Sequence, residues 1–273
     1  MNLPVVLSIA GSDNSAGAGA QADLKTFSAL GTYGVTAITC VVAEVPGKVS
    51  AIQPIEPRIV TEQIRLLFEA FPISAVKTGM LYSPEIIEAV ANALKSEIRN
   101  QKSELPIVVD PVMVATSGDP LLKAGAVALY TDLLFPLARV ITPNLDEVRT
   151  LLGHPVTSIP EMIAAGRELA ARFHTAVLVK GGHLRGVDAV DLLFDDGMLH
   201  EFRAPFVPDV STHGTGCTYA AAIAAGMGKG QSLSQATSEA KAFVTRAVRQ
   251  FLRWHHRGHT TDALHHFAEE VGS

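Results

Sequence analysis

Short apolar runs rich in β-branched residues alternate along the chain with longer stretches in which apolar positions recur every three or four residues. The runs occupy residues 4–10, 35–43, 75–80, 107–113, 140–143 and 176–180. They are apolar at successive rather than alternate positions, which predicts strands covered on both faces. Such strands, separated by helical patterns, predict a parallel sheet joined by crossover helices, with a helical layer on either side. Helix ends are readable: Ser83 and Pro84 supply an N-cap and a first residue, and Asn144 with Glu147 has the spacing of a capping pair. Residues 188–202 read instead as two strands about a turn at Asp195, Asp196 and Gly197, an antiparallel edge to the sheet. Two long helices are expected at 214–227 and 233–254. The expected fold class is therefore α/β, a three-layer α/β/α sandwich with a mostly parallel central sheet and an antiparallel edge. No repeat, linker or charge block divides the 273 residues, so a single domain over 1–273 is expected, with a peripheral tail from about 255.

Composition narrows the partners more than the fold. With 48% hydrophobic and 18% charged residues, the chain can bury a large core. A formal net charge of -5 provides no long-range attraction for nucleic acid or an anionic membrane, and neither is expected as a partner. No apolar run approaches the roughly 18 residues of a membrane span, and the start, MNLPVVLSIAGSD, lacks the pattern of a secretory signal. Only Cys40 and Cys217 occur, too few for a disulfide framework, which points to a reducing, cytoplasmic setting. The expected partner is a small molecule, with a homodimer as the expected assembly.

Chemistry concentrates at the ends of the predicted strands. Residues 11–23, GSDNSAGAGAQAD, form a glycine-rich turn between the first strand and a helix, where backbone can approach a ligand and helix N–H groups face it. The dinucleotide fingerprint G-x-G-x-x-G is absent, since Gly17 and Gly19 are followed by Ala22, and Asp13 and Asp23 stand where a pyrophosphate would be repelled. Lys77, Thr78, Gly79 and Met80 end another strand, where Met80 either caps a flat ring or is an ordinary core methionine. Asp110, in DPVM, is placed to influence bound Mg2+ and phosphate. Asn144 and Glu147 lie one helical turn apart, able to steer a metal-water shell or simply to cap a helix, and Lys180 could neutralise phosphate. In the stretch Thr212, His213, Gly214, Thr215, Gly216 and Cys217, backbone N–H groups from Gly214 to Cys217 can converge at a helix N-terminus as an anion hole. The same field is expected to depress the Cys217 thiol pKa and provide a thiolate that accepts a substrate proton.

Taken together, GSD, GAGAQADLKTFSALG, VKTGML, DPVMVATSGDPLL, ITPNLDE, VKGGH and THGTGCTYAAAIAA resemble the hydroxymethylpyrimidine and phosphomethylpyrimidine kinases, a family of the ribokinase-like superfamily that lies beside pyridoxal kinases. The match spans about residues 4–250 in order. The resemblance implies ATP-dependent phosphorylation of 4-amino-5-hydroxymethyl-2-methylpyrimidine and its monophosphate in thiamine biosynthesis, with pyridoxal phosphorylation as the alternative. It implies that Gly11, Asp23, Val42, Glu44, Met80 and Val112 surround the ring. Asn144, Lys180 and Thr212 would serve ATP, Asp110 and Glu147 the Mg2+, and Gly214, Thr215, Gly216 and Cys217 the catalysis; a monovalent cation is a further candidate.

Two stretches depart from the family pattern. Ser15 and Ala16 stand where it commonly has glycines, and Ala43, Glu44, Val45 and Pro46 replace its A-Q-N-T. An ionised Glu44 can only accept hydrogen bonds, so it either shares a proton with an aminopyrimidine, recognises a different ring, or is a solvent-facing loop residue. A pyrimidine-binding sensor that does no chemistry is a rival, opposed by the glycine, cysteine and lysine positions. The stretch 254–267 holds five of the ten histidines, but no cysteine or paired acid completes a metal site, and a solvated or packing tail is expected. Cys40, within an apolar strand, is read as core.

Overall fold

A computed structural model describes residues 2–100, 104–113, 125–182, 184, 188–208, 210 and 213–268. Its sheet is built on β1 (Val5–Asp13), β2 (Tyr33–Val45), β4 (Ile73–Thr78), β5 (Ile107–Val109), β6 (Val140–Ile141) and β7 (Ala176–Lys180), all parallel. The antiparallel strands β3 (Lys48–Pro54), β8 (Asp188–Asp195) and β9 (Met198–Pro205) complete the order β3-β2-β1-β4-β5-β6-β7-β8-β9. Successive residues point to opposite faces, and both faces are covered. Leu7, Ile9, Val76, Ile107 and Val109 pack beneath α2 (Pro57–Ala70), α3 (Pro84–Asn100), α5 (Leu145–Leu152) and α6 (Ile159–Phe173). Val6, Ala75, Val108 and Leu178 meet α1 (Gly19–Ala29), α7 (Thr215–Gly228) and α8 (Leu233–Arg249) on the other side. A short helix α4 (Ala126–Leu129) and irregular turns through Leu137 close the first layer. The three-layer expectation holds.

Helix α7 carries a run of alanines, Ala220 to Ala222, Ala224 and Ala225, that are almost wholly buried. Small side chains let this helix sit tightly on the sheet, which brings its N-terminus to the C-terminal ends of β4 and β5. Helix α5 begins at Asn144 with a reciprocal capping box: the Glu147 N–H donates to Asn144 Oδ1 (2.9 Å) and the Asn144 N–H to Glu147 Oε2 (2.8 Å).

Two expectations are corrected. Sequence patterning located one antiparallel edge, whereas the sheet has a second, β3. Its residues KVSAIQP are mostly exposed, because an edge strand buries little and carries no continuous apolar run. Val45 and Lys48 face each other across the turn at Pro46 and Gly47, so Glu44 lies within a strand rather than in a loop, next to a shift of register between Ala43 and Glu44. The helix expected at 233–254 ends at Arg249, and a separate hairpin follows, β10 (Leu252–His256) with β11 (His259–Ala263). Arg257 and Gly258 both adopt positive φ, 50° and 77°, the geometry of a tight hairpin turn. His255 and His256 accordingly lie on a strand.

Candidate functional site

The ends of the parallel strands open onto a cavity of about 380 Å³, where the crevice of an open α/β sheet is expected to bind ligand. Along one wall stand Gly11, Val42, Glu44, Met80 and Val112, five of the six residues expected around a ring. Val42 and Met80 are buried and form an apolar cluster with Cys40, with Val112 packed against it. Cys40 is wholly buried, as expected of a core residue.

The sixth, Asp23, is not on the wall. It is fully buried beneath the cavity, receiving Lys77 Nζ on both oxygens (2.8 and 3.0 Å) and Ser8 Oγ (2.5 Å). A lysine and an aspartate on facing buried surfaces pair rather than bind ligand, since an unpaired charge there costs several kcal/mol. Burial acts to lower the Lys77 pKa, but the Asp23 carboxylate more than offsets it, and the ammonium stays charged.

The glycine-rich turn is also organised differently from expectation. The Asp13 carboxylate accepts the N–H groups of Ser15 (2.7 Å), Gly17 (3.1 Å) and Ala18 (2.8 Å), so these donors serve an internal anion instead of a ligand. His213 Nε2 lies 3.1 Å from the same carboxylate. Burial acts to raise the Asp13 pKa, but hydrogen bonds from His213, Ser15 and Ala18 outweigh it and hold it low. Asp13 fastens the glycine-rich turn to the segment that precedes α7. Glu44 reaches the cavity a short way off, its backbone N–H donating to Asn14 Oδ1 (2.7 Å). Burial, and then Asp13, push the Glu44 pKa up, and His213 draws it down.

The same cavity is also lined by Asp110, Asn144, Glu147 and Lys180. Lys180 Nζ donates to Asp110 Oδ1 (2.8 Å), which also accepts from Thr142 Oγ1 (3.0 Å). An isolated bridge between Asn144 and Lys180 places the α5 cap beside the end of β7. Burial acts to lower the Lys180 pKa, but the carboxylates of Asp110 and Glu147 prevail and hold it charged. Burial raises the Glu147 pKa, Lys180 pulls it back, and Asp110 raises it further. Among the described residues no group of three or more His, Cys, Asp or Glu side chains could hold a metal. Two carboxylates suit an ion whose remaining ligands are phosphate and water.

Gly214, Thr215, Gly216 and Cys217 line the cavity as well. Gly214 caps α7 with φ 81°, and a Cβ there would overlap the Gly17 carbonyl oxygen. A Cβ at Gly216 would lie 3.2 Å from Lys180 Nζ and 3.8 Å from Asp110 Oδ2. The first turn of α7 therefore abuts the Lys180 ammonium, and together they suit an anion. Thr212 lies outside the described residues.

The expected resting thiolate is not found. Cys217 is half-buried, and burial raises its thiol pKa to about 11; Lys77 pulls it down, while Asp23 and Asp110 push it up. The fold that places the sulfur at the start of α7 also removes water from it and brings carboxylates near, and both raise the pKa. Sequence reading missed the Asp13–His213 contact, although His213 directly precedes the glycine motif. It also missed Asp191, on the cavity wall, which accepts the Gly181 N–H (3.0 Å) and Lys241 Nζ (2.6 Å) and so steadies the turn after Lys180.

Comparison with known proteins places this geometry. A family model described as phosphomethylpyrimidine kinase matches residues 13–262. The hydroxymethylpyrimidine/phosphomethylpyrimidine kinase of Rhizobium meliloti is 45% identical over 245 residues, covering 89% of this chain and 90% of that protein. The thiamine biosynthesis bifunctional protein ThiED of Geobacter sulfurreducens is 43% identical over 244 residues, 89% of this chain; the match spans 49%, about half, of that longer protein. Among solved structures, the pyridoxal kinase from Staphylococcus aureus in complex with ADP superposes with a TM-score of 0.87 at 34% identity, covering 99% of this chain and 96% of that one.

Proposed function

The chain belongs to the phosphomethylpyrimidine kinase family and is a phosphotransferase, and we propose that it uses ATP to phosphorylate 4-amino-5-hydroxymethyl-2-methylpyrimidine and then its monophosphate. The fold is the ribokinase-like α/β sandwich. One observation carries the reading: an apolar cluster at Val42, Met80 and Val112 lines the same cavity as the first turn of α7 and the Lys180 ammonium. Phosphoryl transfer needs little beyond alignment and charge stabilisation, and these groups supply both. The acceptor hydroxyl lies toward Cys217, and N–H groups of the α7 turn with Lys180 hold charge on the transferring phosphoryl group. Cys217 rests as a thiol, so it must first release its own proton to solvent, and the thiolate so formed takes up the hydroxyl proton as the reacting groups come together.

Mg2+ belongs to the same proposal: Asp110 and Glu147 would hold it, directly or through water, and it would neutralise nucleotide phosphate charge. The two free thiols suit a reducing cytoplasm. Exposed Val41 and Val45 on β2 suit a homodimer, which sedimentation would register as twice the chain mass. A coupled assay of nucleotide consumption and product formation, run with both pyrimidine forms, tests the activity; turnover with neither would overturn it.

Glu44 motivates the second reading, phosphorylation of pyridoxal, because a carboxylate stands where the family pattern has an amide. Burial raises its pKa, the direction that a proton shared with an aminopyrimidine would need. A protonated carboxyl offers one donor and one acceptor, as a glutamine amide does, and can face the ring nitrogen and amine together. Glu44→Gln is therefore expected to raise kcat/KM for the aminopyrimidine relative to pyridoxal by about five- to ten-fold, the worth of one hydrogen bond that no longer needs a proton. In the parent that preference should decline as pH rises and the shared proton is lost. An unchanged ratio would show that the side chain does not touch the ring.

A further inference from the structure

Beyond the residues matched by the family model, which end at 262, the chain returns to the catalytic end of the molecule. Leu264 is buried, the His265 N–H donates to the Ala247 carbonyl (3.1 Å) and Arg246 Nε to the Ala268 carbonyl (3.1 Å), so this segment is anchored to α8. His266 crosses to the other helix. It is 4% exposed, and its Nε2 lies 3.0 Å from Oγ1 of Thr218, a wholly buried residue that directly follows Cys217. Burial pushes the His266 pKa down to about 4, and the ring also bonds the Leu264 carbonyl. The ring is therefore neutral at pH 7, with its hydrogen assigned to the nitrogen facing Leu264, and Nε2 accepts from the threonine hydroxyl.

A helical threonine ordinarily turns its hydroxyl onto the carbonyl four residues back. Thr26, Thr150, Thr237 and Thr245 all do so here, to Ala22, Asp146, Leu233 and Lys241 at 2.7, 2.9, 2.7 and 2.7 Å. For Thr218 the corresponding carbonyl belongs to Gly214, and it accepts the Thr218 N–H at 2.9 Å. Gly214 begins the turn that lines the cavity, and its left-handed backbone leaves it close against Gly17. A second hydrogen bond to that carbonyl would pull on the very residues whose N–H groups hold the transferring phosphoryl group.

We propose that His266 is a positioning residue for phosphoryl transfer: by holding the Thr218 hydroxyl it keeps it off the Gly214 carbonyl and so sets the backbone from Gly214 to Cys217. The inference rests on the phosphotransferase reading but not on which ring is used, because each variant is compared with the parent on the substrate that the parent turns over. His266→Ala is expected to lower kcat about five-fold, the worth of one misdirected neutral hydrogen bond, with KM for ATP unchanged. His266→Gln, which keeps an acceptor, should retain activity. The decisive variant is the double H266A/T218V: with no hydroxyl left to turn onto Gly214, kcat should recover toward the parent value. His266→Leu fills the ring's volume and carries the same expectation should H266A fail to fold. Unchanged kcat in H266A and H266L, a double variant no faster than H266A, or folding by H266Q alone would each overturn the proposal.

Discussion

Replacing Cys217 by alanine is expected to lower kcat by about 10²- to 10⁴-fold, the range for removing a positioned proton acceptor, while KM for ATP changes little. The sulfur stands in the first turn of α7, on the cavity wall. Because burial sets its pKa near 11, the basic form is scarce at neutral pH and becomes more abundant as pH rises. The sign follows directly. Parent kcat should climb with pH across the neutral and mildly alkaline range, and C217A should lose that dependence. Alkylation of Cys217 by iodoacetamide should likewise be slow at pH 7 and accelerate toward pH 10. A flat alkylation profile, or a C217A enzyme with near-parent kcat, would show that another group takes the proton.

Gly214→Ala should be nearly as damaging, through geometry rather than chemistry. The residue sits at φ 81°, where a Cβ costs about 1–2 kcal/mol in backbone strain alone. The added methyl would also overlap the Gly17 carbonyl and lie 3.3 Å from Ala18 Cα, so the glycine-rich turn and the α7 turn cannot both keep their places. Displacing groups that align a transferring phosphoryl group by about 1 Å costs on the order of 10²-fold in rate. G31A is the control for strain. Gly31 has φ 72° with nothing within 4 Å of the point where a methyl would stand, so that variant should lose some stability and keep its kcat. If G31A and G214A lost activity equally, close approach of the two turns would not be the reason.

Much of the site was legible before any coordinates. Successive apolar residues in the parallel strands announced their burial, and the strand ends announced where ligand groups collect. Gly11, Val42, Glu44, Met80 and Val112 do line the cavity, and so do Asp110, Asn144, Glu147 and Lys180. The capping pair at Asn144 and Glu147 was visible because its hydrogen bonds are local, three residues apart. Edge strand β3 and the C-terminal hairpin were not visible, since neither buries enough surface to leave an apolar pattern.

By itself, then, the sequence determined what short-range physics encodes: the alternation of elements, the helix starts, the glycines at tight turns and the residue types gathered at strand ends. Only the tertiary structure decided which charges meet. Asp23 lies 54 residues from Lys77, Asp13 lies 200 from His213, and Thr218 lies 48 from His266. Whether a carboxylate faces a ligand, an ammonium or a ring of amides depends on partners that no local pattern specifies. The protonation of Cys217 depends in the same way on how much water the folded chain leaves around the sulfur, and that balance reversed the expectation drawn from the helix N-terminus alone.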